Sequence, residues 1–401
     1  MSSPVIDNNG TLITRIVCAV VFCLFSFCWL YFFQADVIAV AQHVLSRGVT
    51  VYDKTVGAVL ITLALQFIQI LVYAITRLAR RTHALTYFPS MMVLAWLSSS
   101  FECSGIWIWA APIVLIVWGF CAWLSRQLLP FENDKKNLTG LFSRRTWLNV
   151  LQLTAMMVGV SLVGDSNAIY HFRAHAESAL MKGDTEEALR VGNRSAETDA
   201  NLTMLRIFAL ARRNELGERL FCYAIKGGSS DMLPLHGSHS HLLMLPDTLL
   251  WDYLGRRPDS LMTVRQYLDS LERDTTTIGL IGTDSMAFRI VKGDTLIGER
   301  PRVYRDYRLI GQLLDRRLDD FASSLPRYYE MTTDSLPRHY REALVLYQQL
   351  RDTLILADST TTLRWKEYRR QDSIYSNPHE RYVRNESLFG DTYWYYYDKR
   401  W

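Results

Sequence analysis

The chain has 401 residues, a mean hydropathy near zero and a formal charge of +4. That average conceals two different halves: residues 1–165 hold 11 Lys+Arg and 7 Asp+Glu, whereas residues 166–401 hold 33 of each. The back part is therefore neutral, and no basic surface argues for a nucleic-acid partner. Five of the six cysteines (Cys18, Cys23, Cys28, Cys103 and Cys121) lie in or beside apolar runs, and Cys222 is alone in the back part. A lone cysteine cannot staple its own domain, so that fold must rest on packing. Cys18, Cys23 and Cys28 lack metal-ligand spacing and read as small hydrophobes.

Five apolar segments follow in chain order, predicting a transmembrane helix bundle over residues 1–165 with spans near 16–33, 56–75, 84–101, 106–124 and 147–163. Crossing about 30 Å of hydrocarbon takes roughly 20 apolar residues. Ala84–Phe101 is short and ends in a serine run, and Trp147–Val163 contains Asn149 and Gln152. Ile106–Leu124 carries Trp107, Trp109, Trp118 and Trp123 near its two ends, where amphipathic rings favour the interface. A cleavable signal peptide fits poorly, because the first apolar run is long and others follow.

Short loops rich in Lys and Arg are retained in the cytoplasm. Arg77, Arg80 and Arg81 form one such loop, and Arg126, Lys135, Lys136, Arg144 and Arg145 form another. The N-terminus near Arg15 is then cytoplasmic, and five spans place residues 166–401 outside, which in an inner membrane means periplasmic. Gln66 and Gln69 share a helix face and can bond a neighbouring helix. No acid or base sits in mid-span, which removes most support for a transporter.

Residues 166–401 read as helix pairs. The phrase from Gly183-Asp-Thr-Glu-Glu-Ala188 to Asn201 resembles the second half of a tetratricopeptide repeat, with Phe172, Ala176 and Ala179 at the packing positions of the first helix. Small side chains at Ala176, Ala179 and Ala188 let two helices approach closely. A second pair is Leu202–Arg212 and Leu216–Tyr223 about a turn at Arg213-Asn214. A third is Tyr304–Leu314 and Leu318–Tyr329 about Asp315-Arg316, and Leu336-Pro337 then introduces an apolar-striped helix, Tyr340–Leu350. Residues 286–299 read as a β-hairpin insertion, and Lys226–His241 as a loop. The expectation is an all-α chain: a transmembrane bundle, then a tetratricopeptide-like solenoid with a small hairpin.

Three phrases, Asp199–Phe221, Leu336–Leu344 and Phe389–Tyr397, resemble uncharacterised Bacteroidales multi-pass inner-membrane proteins with a tetratricopeptide-like tail. That resemblance implies the same layout of spans and tail, and no activity.

Candidate chemistry is sparse. His236, His239 and His241 bring three imidazoles within six residues, near Asp231 and Asp247, and three neutral imidazoles can hold zinc or copper; set against this, a Gly/Ser loop does not fix ligand geometry. His171 and His175, four apart, share a helix face but lack the glutamate of the zincin motif. There is no nucleophile elbow, phosphate-binding loop, dinucleotide fingerprint or CxxC, so no cofactor is expected. The tail Tyr393–Tyr397 could stack on sugars, though a packed capping element is the stronger expectation. These readings favour a membrane-anchored interaction or scaffold module with a protein partner. An envelope enzyme acting on lipid or glycan is one alternative, for which only Asp36, Asp165 and His171 lie at the membrane junction. The other is a subunit of a larger membrane complex.

Overall fold

The computed structural model describes residues 6–78, 80–99, 104–127, 143–259, 261–281, 300–353, 355, 358–375 and 377–399. Among these the chain is all-α, with no strand. The expected hairpin at 286–299 lies outside the described residues. The chain divides into two compact units, Met1–Asn167 and Ala168–Trp401.

In the first unit, α1 (Ile6–Cys28) runs into a π-turn, Trp29–Phe33, closed by the Gln34 N–H on the Trp29 carbonyl. The short α2 (Ala35–Ser46) follows. Next comes α3 (Lys54–Thr76), whose N-terminus is capped by the Asp53 carboxylate accepting from the N–H groups of Thr55 and Val56. One face of α1 buries Cys18 and Phe22, while Leu12, Ile16, Val20 and Leu24, four apart, stay exposed. On α3, Ala58, Thr62, Leu65 and Gln69 face inward and Val59, Leu63, Phe67 and Ile70 outward. An apolar exterior over a partly polar interior is the pattern of helices solvated by lipid.

Among the described residues three helices are long and apolar enough to cross a membrane, Leu12–Phe33, Lys54–Thr76 and Thr146–Val163, fewer than the five expected. Within the expected span 84–101 the helix is interrupted for a local reason. Residues Arg80–Tyr87 form a 3-10 segment, and Pro89 then opens α4 (Phe88–Leu97), only 10 residues long. At about 1.5 Å per residue, such a helix covers roughly half of the hydrocarbon. The fully buried Asn149 of α6 (Arg144–Val163) accepts the Ala84 N–H at 2.8 Å and so stabilises the 3-10 segment. The polar residue that weakened the last span in the sequence thus has a partner inside the unit. Helix α5 (Ser104–Gln127) is 24 residues long and includes the apolar stretch Ala110–Leu124. Gln66 donates to Gln69, which donates to Thr86 in the 3-10 segment at 2.9 Å, as expected for interhelical polar bonds.

The second unit repeats one turn. Helices α7 (Ala168–Met181) and α8 (Thr185–Arg190) are joined through Gly183 at φ +79°. Helices α9 (Ala200–Arg212) and α10 (Leu216–Arg219) are joined through Asn214 at +57°, and α13 (Arg300–Leu314) and α14 (Leu318–Ser324) through Arg316 at +58°. In each, the next N–H reaches back five residues: Asp184 to Ala179, Glu215 to Leu210 and Arg317 to Gln312. This is the 6→1 bond of a Schellman cap, which turns the chain while satisfying an orphan carbonyl. Ala176, Ala179 and Ala188 are buried where α7 meets α8.

Helix α9 is buried on every side from Asn201 to Ala211. Its Arg206 is tolerated there because the guanidinium donates to the carbonyls of Ala224 (2.9 Å) and Gly192 (3.1 Å), and burial lowers it to about 10. The core continues through α11 (Asp247–Leu254), α12 (Val264–Ile281) and α15 (Arg338–Arg351). Beyond it lie α16 (Ser359–Ile374), α17 (Pro378–Phe389) and α18 (Tyr393–Asp398). Tyr393 and Trp394 of α18 are fully buried against α15 and α16, so the aromatic tail is core rather than a stacking surface.

Candidate functional site

Three places on the second unit combine polar chemistry with fixed geometry. The first is the loop carrying His236, His239 and His241. Its backbone is pinned: Asp231 accepts the His239 N–H (2.9 Å), Asn201 accepts the His241 N–H (2.7 Å), and Arg173 donates to the His241 carbonyl (3.1 Å). Just beyond, the fully buried Glu177 carboxylate accepts the consecutive N–H groups of Leu243, Met244 and Leu245 at 2.6–3.0 Å. The Gly/Ser composition suggested a loop without fixed geometry, but side chains from α7 and α9 supply what the loop lacks. All three imidazoles are exposed, and only His239 meets an acid, Asp231 at 3.2 Å. Among the described residues no group of three His, Cys, Asp or Glu side chains is placed to hold a metal ion. His175 is exposed and pairs with Glu187 of α8 at 3.5 Å.

The second place is a pair of adjoining grooves. One, about 490 Å³, is lined by Arg265, Arg308 and Arg317 with Asp269, Asp315 and Asp320. The other, about 510 Å³, shares Arg317 and Asp320 and adds Tyr347, Leu350 and Tyr397. Ion pairs hold the walls: Arg308 bridges Asp269 (3.0 Å) and Glu272, Arg317 bridges Asp315 and Asp320, and Arg351 meets Asp319 at 2.6 Å.

The third place was not visible in the sequence. Cys222, exposed at the end of the 3-10 turn after α10, has its Sγ 3.9 Å from His339 Nε2 and 3.9 Å from the Asp391 carbonyl, which accepts its S–H. His339 is wholly buried, held edge-on by the Phe221 ring, and its Nδ1 lies 2.9 Å from Glu342 Oε2. Glu342, also buried, accepts from Arg338 Nε (2.9 Å) and from the Tyr393 N–H (2.8 Å). Arg338 is clamped on its other side by Asp391 at 2.8 Å, which Arg364 also holds at 2.9 Å, and its Nη1 faces Cys222 Sγ at 3.9 Å. Burial pushes the Cys222 thiol up, against the pull of Arg338, so the group rests as a thiol. For Asp391 the two guanidiniums prevail over burial and hold its carboxyl below the usual range. The one local signal was His339 and Glu342 three apart on a helix; Cys222 lies 117 residues upstream.

Residues 259–400 match a family of unknown function (DUF6057). That stretch is about a third of the chain. It contains two of the three phrases singled out in the sequence, Leu336–Leu344 and Phe389–Tyr397, and with them His339, Glu342 and Asp391. Cys222 and the apolar unit lie outside it. No curated protein and no solved structure matches the chain.

Proposed function

We propose that this chain is a multi-pass inner-membrane protein carrying a tetratricopeptide-like domain outside the cytoplasm, and that the domain docks a protein partner. The lipid bilayer is the first partner, on the strength of the three long apolar helices. Topology follows from the basic loops. Arg77 and Arg81 precede α4, and Arg126, Lys135, Lys136 and Arg144 follow α5. Retaining both sets in the cytoplasm requires α4 and α5 to cross together or not at all. The count is then three or five, odd in either case, and the chain beyond Asp165 is periplasmic when the N-terminus is cytoplasmic. Alkaline phosphatase fused after Trp401 is expected to be active; an inactive fusion beside a fluorescent cytoplasmic reporter refutes this orientation.

The observation that carries the docking half is the recurrence of one turn geometry at Gly183, Asn214 and Arg316. It supports stacked helix pairs, which form extended binding surfaces. The grooves favour a polypeptide bearing charges of both signs, because their walls present Arg and Asp together. Full-length protein purified from detergent is expected to bring down a stoichiometric protein, and Arg265→Glu, an exposed groove position, is expected to release it. Clean monomer, or a partner indifferent to the substitution, overturns the docking reading. Membership in the Bacteroidales inner-membrane family is part of this proposal, supported by the shared phrases.

A further inference from the structure

We propose that Cys222, His339 and Glu342 form a nucleophilic thiol site that accepts an acyl group from an ester or thioester donor. The proposal does not depend on the docking reading. A cysteine is a strong nucleophile once its proton has somewhere to go, and the pattern that achieves this is nucleophile, base and orienting acid in series. Here the series is complete. The Glu342 Oε2 contact at 2.9 Å places the imidazole hydrogen on Nδ1, which leaves the Nε2 lone pair facing Sγ. Ring rotation is blocked by burial and by Phe221, so that lone pair stays aimed. Cys222 is an exposed residue, so a donor can approach it from solvent. Arg338, fixed by Glu342 and Asp391, presents Nη1 beside the sulfur, where charge develops on a carbonyl oxygen under attack.

The step balances without an outside oxidant or metal. Sγ bonds to the acyl carbon while the thiol proton passes to Nε2. The tetrahedral oxyanion then collapses, breaking the bond to the leaving oxygen or sulfur, which takes the proton from Nε2. The product is S-acyl Cys222 and a free alcohol or thiol. A buried His–Glu pair serving structure alone would not need its second nitrogen turned toward the Cys222 thiol.

The test uses full-length protein in detergent micelles with p-nitrophenyl acetate as the probe, following acetylation residue by residue by peptide mass mapping. Cys222 is expected to acetylate about 100-fold faster than glutathione at the same pH, the low end of what a positioned base contributes. Cys222→Ala removes the fast release of p-nitrophenolate. His339→Gln slows Cys222 acetylation by a similar factor, and Glu342→Gln by less. Acetylation of Cys222 no faster than glutathione, or a folded His339→Gln protein matching wild type, overturns the proposal. Should His339→Gln lose its helical spectrum, the wild-type pH profile decides. The groups facing the sulfur are Arg219 from α10, Arg338, His339 and Glu342 from α15, and Asp391 ahead of α18. A rate that levels off below the thiol's own ionisation supports base assistance. A rate that climbs tenfold per pH unit up to the thiol's own ionisation overturns it.

Discussion

Glu177 offers the sharpest stability test, because one buried carboxylate holds three successive backbone N–H groups, those of Leu243, Met244 and Leu245. These donors belong to a loop with no helix or strand of its own to satisfy them, and Met244 and Leu245 are buried. In Glu177→Ala all three lose their acceptor. A buried donor left unsatisfied costs about 1–3 kcal/mol, so three set an upper range near ~9 kcal/mol. Water entering at the half-buried Leu243 and local relaxation bring the expected loss to about 3–5 kcal/mol, the usual cost of removing one partner of a buried charged group. At about 1.4 kcal/mol per tenfold, even the lower figure is roughly a hundredfold in the opening equilibrium of the loop. Hydrogen exchange of the full-length protein, read by mass spectrometry, reports it directly. Peptides covering 243–245 should exchange about 100-fold faster, while those from α15 keep their protection. Glu177→Gln keeps one acceptor oxygen and should fall between the two. If the 243–245 amides exchange as in wild type while the chain remains folded, the carboxylate is not what fixes the loop.

Ala188→Leu, at the buried meeting of α7 and α8, should lower stability by about 1–3 kcal/mol through overpacking, read as an earlier urea midpoint. Glu218→Ala on an exposed position of α10 should move it by less than about 0.5 kcal/mol, and equal midpoints would mean the helix faces are misassigned. Asp358 caps α16; burial raises its carboxyl, but bonds from Thr361 and Thr360 with the Arg341 charge hold it at about 2. Its folded pKa is therefore below the unfolded value of about 3.9, so its contribution is present above pH ~4 and lost as pH falls toward ~2. Asp358→Asn should shrink the stability difference between pH ~7 and pH ~2.5, and an unchanged difference refutes the assignment. Trp394→Ala, which empties a fully buried site against Trp365, should cost about 3–5 kcal/mol and is checked by thermal melting.

Features that depend on neighbours in the chain were legible in the sequence. A run of about 20 apolar residues is a property of the run itself. Ile16–Phe33, Val56–Ile75 and Trp147–Val163 accordingly match the three long apolar helices. The turns at Gly183, Asn214 and Arg316 were legible for the same reason, since a Schellman cap is closed within six residues. What went astray was set by partners far along the chain. Ala84–Phe101 reads as apolar enough to cross, yet its first part is a 3-10 segment bonded to Asn149, 65 residues away. The loop at His236–His241 reads as loose, yet its fixed course comes from Glu177, Arg173 and Asn201 on two earlier helices. Cys222 reads as an isolated thiol until the fold brings His339 to it across 117 residues, and no spacing rule can signal that approach. Apolar runs and helix caps are short-range and leave their mark locally. Buried polar pairs form between whichever elements the core brings together, so only the tertiary structure decides them.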